Sequence, residues 1–219
     1  MTKPFIIAID GKAASGKGTL ASSLAEHYDF DYMDTGLLYR AIGVICDQDG
    51  GDPNEEQAAF DAALKMIESY PTCVDDLDLK SDKAGPLASK AAQHPSVRKI
   101  IVQLQVDFGE KSEKGAVLDG RDITTFIFPN ADVKFFVSAD VDVRAKRRHE
   151  EVVVKQPDTE YQDILDDMIE RDARDADRAV APMKIADDAH VIDNTDMGIE
   201  QVFDYALSIV DPIYKAHQS

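Results

Sequence analysis

The segment Phe5 to Thr19 (FIIAIDGKAASGKGT) limits the folds open to this chain more than any other feature. Phe5 to Asp10 is a short apolar, β-branched run bounded by glycine, the pattern of a strand buried on both faces. A helix is expected from Lys17 to about His27, with Leu20, Leu24 and the alanines turned to the sheet. Between them lies Gly11-Lys12-Ala13-Ala14-Ser15-Gly16-Lys17-Gly18-Thr19. A glycine-rich turn in that place lets backbone amides wrap an anion, the helix start adds the positive end of its dipole, and Lys17 supplies a point charge. The strict phosphate-loop pattern asks for Ser or Thr directly after the lysine, and here Gly18 intervenes before Thr19. The physical requirements are still met. The plain alternative, a chance glycine turn, does not explain the strand before it and the helix after it.

Further buried-strand candidates are Phe30 to Met33, Ala116 to Leu118, Val133 to Ser138 and His190 to Ile192. Helical periodicity separates them at Leu37–Asp47, Asn54–Ser69, Ser96–Lys111, Val141–Glu151, Tyr161–Arg174 and Ile199 to about Lys215. Strands alternating with helices imply right-handed βαβ units and an α/β fold with a doubly wound, parallel, five-stranded sheet, whose ligands collect at the carboxyl ends of the strands. At 219 residues the chain suits one domain carrying a small helical insert, about 36–113, and a lid, about 145–175. Two segments break the rhythm. Residues 71–86 are acidic and turn-rich and read as a surface connection inside the insert. Residues 152–159, with Pro157, separate two arginine-bearing helices and are expected to work as the moving part of the lid.

Charge narrows the ligands. The 42 acidic and 24 basic residues give a net charge of −18, so the averaged field repels nucleic-acid polymers and anionic membranes. Any anionic ligand must be caught by local basic groups. Nine of those bases are arginines, and six sit in two clusters: Arg144, Arg147 and Arg148, then Arg171, Arg174 and Arg178. The planar guanidinium fork grips phosphate at two points, so phosphate chemistry is indicated. No apolar run is long enough to span a membrane, and Met1 to Asp10 lacks a secretory signal, so the cytoplasm is the expected compartment. Cys46 and Cys73 stand alone, without Cys-x-x-Cys or metal-spaced histidines, and read as plain thiols. Nothing in the sequence demands more than a monomer.

Three other motifs carry chemistry. Asp34-Thr35-Gly36 precedes a helix bearing Arg40, so Thr35 and Arg40 are placed to hold a second phosphate, although Asp34 as a cap and Arg40 as a surface group is the plain alternative. Asp119-Gly120-Arg121-Asp122 ends the third strand, with Asp119 placed to hold Mg²⁺ through water and Arg121 and Asp122 facing the same crevice, although a salt-bridged loop is the plain alternative. In Arg171-Asp172-Ala173-Arg174-Asp175-Ala176-Asp177-Arg178, residues 171, 174, 175 and 178 share one helical face. Alone, such a face is a solvated row of ion pairs. Opposite Arg144, Arg147 and Arg148 it becomes the second jaw of a clamp for phosphoryl oxygens.

From about Ile7 to Ile209 the chain resembles the bacterial cytidylate kinase branch of the nucleoside monophosphate kinases, with the phosphate loop, DTGLLYRA, LDGRD, FFV and RDARDADRAVAPM in order. The resemblance implies a P-loop kinase fold with ATP, Mg²⁺ and CMP or dCMP as partners. Backbone amides from Gly11 to Thr19, with Lys17, are implied to bind the ATP phosphates and Mg²⁺. It assigns Thr35, Arg40 and Arg121 to the CMP phosphate, and Arg171 and Asp175 to the sugar and its phosphate side. Ser89, Arg98, Asp122 and Arg178 surround cytosine on this reading, and Arg147 and Arg148 approach the transferred phosphoryl group. Lys17, Arg121, Arg147, Arg148 and Arg171 form its catalytic set. The chain departs from the pattern at Lys12, where proline or another uncharged residue is expected, and at Val106, where an arginine is expected. The stretch Cys73 to Pro86 is also too short for the three-stranded insert of longer members.

The implied reaction moves the γ-phosphoryl group of ATP to the CMP phosphate. Cytosine offers an N4 donor beside N3 and O2 acceptors, so Asp122 with arginine and serine donors is complementary, whereas uracil sets O4 against Asp122. Three other readings compete: another small-acceptor P-loop kinase using UMP, AMP or shikimate; a nucleotide-binding regulatory module without catalysis; and a P-loop ATPase acting on nucleic acid. The clustered arginines disfavour the second, and the net charge disfavours the third.

Overall fold

The computed structural model of the chain describes residues 3–79, 81, 83–154, 156–178 and 180–219. Its centre is β1 (Phe5–Gly11), buried along its whole length. Ile6 and Ala8 face one layer of helices while Phe5, Ile7 and Ile9 face the other, which is why the run is apolar without alternation. Around it the strands β2 (Asp31–Asp34), β3 (Gly115–Gly120), β4 (Val133–Ser138) and β5 (His190–Asp193) form a five-stranded sheet in the order β2-β3-β1-β4-β5. All four pairings are parallel. The strand order reverses between β1 and β3 on one side and β1 and β4 on the other, so the crevice of this doubly wound sheet opens above the carboxyl end of β1.

One face packs on α1 (Lys17–Tyr28) and α9 (Ile199–His217), through Leu20 and Leu24 against Val202, Ala206 and Val210. The other is covered by α2 (Thr35–Gln48), α3 (Glu56–Ser69) and α6 (Pro95–Lys111), through Leu38, Ile42, Met66 and Ile101. Of residues 152–159, Val152 ends α7 (Val141–Val152), the rest lie between it and α8 (Tyr161–Ala176), and Lys155 there lies outside the described residues. A His149 ring nitrogen sits 2.9 Å from the Thr159 carbonyl and closes this connection. Among the described residues no helix is long and apolar enough to cross a membrane. Cys46 and Cys73 are free, buried thiols.

The expected strands and long helices are all present, with the second strand moved by one residue because Phe30 turns away into an aromatic cluster with Phe5, Tyr28 and Tyr214. Residues 71–86 are more ordered than expected. They contain α4 (Thr72–Asp76) and the first turn of α5 (Ala84–Ala91), with Lys80 and Asp82 outside the described residues. Helix α5 buries Ala84, Gly85, Ala88, Ser89 and Ala91, small residues that give almost no hydrophobic period. They bring α5 against α2 so closely that a Cβ on Gly43 would stand 2.7 Å from Leu87. Pro86 falls in the first turn, where no intrahelical donor is lost.

Candidate active site

The loop after β1 turns through two left-handed residues, Ala14 at φ 54° and Gly16 at φ 83°, before α1 begins at Lys17. Such a turn points successive amides into one hollow, and among the described residues no side chain caps the start of α1. Lys17 Nζ stands 3.9 Å from Asp119 Oδ2 at the end of β3. Burial pulls the Lys17 amine below a lysine's ordinary value, with Arg121 adding to that effect and Asp119 opposing it. Burial likewise pushes the Asp119 carboxyl up, against the pull of Lys17. The Tyr32 hydroxyl donates to Asp119 Oδ1 at 2.8 Å, and Thr35 Oγ1 donates to the Asp119 carbonyl at 2.7 Å. Asp34 accepts from the Gly36 amide at 2.9 Å, so it is the cap of α2.

Two cavities meet at this loop. One of about 660 Å³ runs over Gly16, Lys17, Gly18 and Thr19 towards Met197 and Phe203, with Arg147 on its wall. The other, about 530 Å³, is lined by Arg40, Lys90, Arg121, Arg148, Arg171 and Arg174, faced by Glu151, Asp167 and Glu170. It shares Arg121 and Arg171 with a narrow cleft bordered by Thr35, Tyr39, Ser89, Asp122, Asp175 and Arg178. The described structure therefore collects Thr35, Arg40, Ser89, Arg121, Asp122, Arg171, Asp175 and Arg178 on one side of the loop. Arg98 stands behind them and pairs with Asp122.

The cleft is built for charge. Asp175 accepts from Arg121 Nε at 2.9 Å and from Arg178. Burial works against its ionised form, yet Arg121, Arg178 and Arg171 hold its pKa down at about 2. Burial, and then the charge of Arg121, pull Arg171 down to about 9, which leaves it cationic at neutral pH. Among the described residues, Arg171 Nε and both Arg98 Nε and Nη1 are buried without a hydrogen-bond partner. Buried guanidinium nitrogens are rarely left unpaired; Arg171 borders the cleft and Arg98 lies behind it against Asp122, so this side of the loop suits an acceptor-rich ligand.

The segment that presents Arg121 and Asp122 is held from below. After Asp122 the chain makes a π-helical turn, Ile123–Ile127. Asp10, at the end of β1, accepts from the Ile123 amide at 2.8 Å, the Thr124 amide at 2.8 Å and Thr124 Oγ1 at 2.6 Å. Burial outweighs those bonds and raises the Asp10 pKa to about 6.

Several arginines have different duties from those the clusters suggested. Arg144, expected in the clamp, is buried as a strut: it donates to the Ala139 and Ala13 carbonyls at 2.9 and 3.2 Å and pairs with Asp172 of α8 at 2.7 Å. Arg147 and Arg148 are adjacent but point to different cavities, because neighbours in a helix stand about 100° apart. Arg178 lies beyond the end of α8 and reaches back to Asp175. Lys12 turns from the loop to Asp172, 3.4 Å away. Val106 does not border the acceptor cleft; it lines a separate cavity beside Gly109 and Phe128. Lys90 and Tyr39 join the arginine-lined side without having been singled out, and Arg174, expected in the clamp, lines it with Nε donating to Ser89 Oγ at 3.3 Å. Nothing in the spacing of Lys90 or Tyr39 marks them, since α5 and α2 meet only in the fold. Among the described residues no three His, Cys, Asp or Glu side chains converge to hold a metal unaided. Near the loop the chain offers oxygen donors, the Thr19 hydroxyl and the Asp119 carboxylate, which suit a hard cation such as Mg²⁺.

A parallel sheet with a phosphate loop at its switch point and an arginine-lined acceptor cleft beside that loop defines the P-loop kinases that act on small molecules. A model of the cytidylate kinase family matches residues 7–212, and the chain belongs to that family. It is 48% identical over 217 residues to the cytidylate kinase of Rhodospirillum rubrum, covering 98% of each chain. It is 44% identical over 215 residues to that of Bartonella tribocorum, again covering 98% of each. Among solved structures, an uncharacterised protein from Eubacterium ventriosum superposes with a TM-score of 0.54 at 18% identity, over 94% of this chain and 98% of that one, a likeness of fold alone.

Proposed function

We propose that this kinase transfers the γ-phosphoryl group of ATP to CMP or dCMP, giving ADP and CDP or dCDP. The observation that carries the reading is the Arg98–Asp122 pair at the acceptor cleft, with two unpartnered guanidinium nitrogens on Arg98. Asp122 accepts from the N4 amino group of cytosine, and Arg98, with Ser89 and Arg178, donates towards N3 and O2. The names of the relatives at 44–48% identity support the same acceptor.

The remaining roles in this reading are as follows. The amides from Gly11 to Thr19 and the Lys17 amine hold the donor phosphates, with Ala13, Ala14, Ser15, Gly16 and Gly18 shaping the hollow. Lys12, turned to Asp172, acts on the loop rather than on the nucleotide. Thr35, Arg40 and Arg121 take the acceptor phosphate, and Arg171 with Asp175 meets its sugar side. Arg148 reaches the transferred group from the acceptor cavity, and Arg147 serves the donor cavity. Mg²⁺, when bound with ATP, neutralises developing phosphate charge, and Thr19 and Asp119 are the residues that would hold it, Asp119 through water.

The nucleophile is already an anionic phosphate oxygen, so the chain needs no strong general base. It bonds to the γ-phosphorus as the bond to the ADP oxygen breaks. What the protein supplies is alignment, cationic stabilisation and exclusion of water. In this reading α2 to α6, about 36–113, form the acceptor insert, and residues about 145–175 form the lid. The net charge of −18 and the absence of a membrane-crossing helix among the described residues support a cytoplasmic enzyme, and nothing in the site asks for a second subunit.

The test is ADP formation by the purified chain with ATP and Mg²⁺, run with CMP, dCMP, UMP, AMP, shikimate and no acceptor. Strong dependence on CMP and dCMP is expected. Equal turnover with UMP removes the cytosine assignment, and acceptor-independent turnover removes the kinase reading.

A further inference from the structure

Asn194, one residue past β5, is 4% exposed and uses all of its polar groups. Its Nδ2 donates to the Ser15 carbonyl at 2.6 Å, on the crest of the phosphate loop. Its Oδ1 accepts from Arg147 Nη1 at 2.9 Å, and its own carbonyl accepts from Arg147 Nη2 at 3.0 Å. Its amide donates to the Ser138 carbonyl at the end of β4, at 2.9 Å. A carbonyl on one side and a guanidinium on the other leave only one orientation of the side-chain amide that satisfies both, so donor and acceptor ends are assigned by chemistry. The contact is also tight: a Cβ on Gly16 would stand 3.1 Å from Asn194 Nδ2.

We infer that Asn194 is the positioning residue of the donor site, locking the crest of the phosphate loop and the Arg147 guanidinium into one rigid wall of the donor cavity. Ser15, Gly16, Arg147 and Asn194 all border that cavity. The loop by itself is a run of small residues with two left-handed positions, and α7 is a separate element; Asn194 is a side chain that bonds to both. An aspartate in its place keeps the acceptor for Arg147 but turns a second oxygen, with charge, against the Ser15 carbonyl. The amide is therefore the group that serves both partners at once. The inference rests on the donor half of the reading above and not on the acceptor's identity.

The test compares the unmutated chain with Asn194→Ala and Asn194→Asp in three measurements: calorimetric affinity for ADP, KM for ATP and for CMP with kcat, and thermal midpoint. In Asn194→Ala, ADP affinity and KM for ATP should each weaken about tenfold, the scale of a lost buried hydrogen bond. KM for CMP should stay within about twofold. Asn194→Asp should weaken ADP binding at least as much, although its tie to Arg147 survives. An ADP affinity in Asn194→Ala within twofold of the unmutated chain overturns the inference. So does an equal rise in both KM values, the mark of a general structural role. If Asn194→Ala does not fold, Asn194→Ser, whose shorter hydroxyl falls short of Ser15, reads the same loss. Absence of CMP-dependent turnover in the unmutated chain counts against the proposed reaction alone, because the ADP comparison still decides the part played by Asn194.

Discussion

At the scale of single residues, the proposed choice of base rests on Asp122. Burial pushes its carboxyl above the usual range, while Arg98 and then Arg178 oppose that shift and favour its ionised form. Asp122→Asn presents an amide that can donate to uracil O4, and it leaves the buried Arg98 without its counter-charge. The preference for CMP over UMP, read as the ratio of kcat/KM values, should fall by about five- to 150-fold, the range of roughly 1 to 3 kcal/mol. An unchanged ratio would place base selection elsewhere. Lys17 and Asp119 should shape the pH profile in the same way. In the proposed reaction the free enzyme takes up MgATP with Lys17 charged and Asp119 ionised, and burial opposes both. The acid limb of kcat/KM for ATP should therefore lie above 3.8, because Asp119 takes up its proton early on descending pH. The alkaline limb should lie below 10.5, because Lys17 gives up its proton early on rising pH. A plateau extending from pH 4 to pH 10 contradicts this.

At the scale of elements, two ties brace the segments beside the phosphate loop and the arginine-lined cleft. The first is Asp10 beneath the π turn. Its folded pKa of about 6 lies above the ordinary 3.8, so the folded chain binds a proton more tightly than the unfolded one across that window, and this group adds stability as pH falls from 6 towards 4. Asparagine cannot take up that proton. The stability lost in Asp10→Asn should be greater at pH 4 than at pH 7, measured by denaturant unfolding, and KM for CMP should rise more than KM for ATP because the turn carries Asp122. The second tie joins the phosphate loop to α8 through Asp172, which meets the fully buried Arg144 and the part-exposed Lys12. Removing one partner of a buried pair costs about 3 to 5 kcal/mol, whereas an exposed pair contributes about 0 to 1 kcal/mol. Asp172→Ala should lower the thermal midpoint sharply, and Lys12→Ala should barely move it. Equal losses would mean that Lys12 is the true anchor.

At the scale of the whole molecule, the arginines gathered in the acceptor cleft stand out from a surface with a net charge of −18. The excess of acid repels itself in the folded state, and raising salt from about 0.01 to about 0.1 M shortens the screening length from about 30 to about 10 Å. The thermal midpoint should rise by a few degrees over that range, while KM for CMP rises as well, because the cleft's own attraction for phosphate is screened. A midpoint that falls with salt would show that favourable surface pairs outweigh the repulsion.

The same scale separates what was legible in the sequence from what was not. Strand β1, the phosphate loop and α1 could be read in order because their signals are local: a β-branched run, left-handed turn positions and a helix start lie within a few residues of one another. Of the proposed acceptor set, Thr35, Arg121 and Asp122 were legible as residues just past strand ends, which a parallel sheet brings to one crevice, while Arg171, Asp175 and Arg178 were legible only as a charged cluster beside a helix end. Helix α5 was missed because alanine, glycine and serine bury against α2 without leaving a hydrophobic period. The partition of duties was beyond reach for a different reason. Arg144 meets Asp172 across 28 residues, Asn194 meets Ser15 across 179, and Asp10 meets Thr124 across 114. Sequence by itself determined that this chain makes a nucleotide-type phosphate site with clustered cations near it, because backbone preference and helix dipoles act over a few residues. Which cation grips a phosphate and which braces the loop was decided only by tertiary structure, because an ion pair or hydrogen bond forms where sheet register and helix packing bring two side chains within about 3 Å.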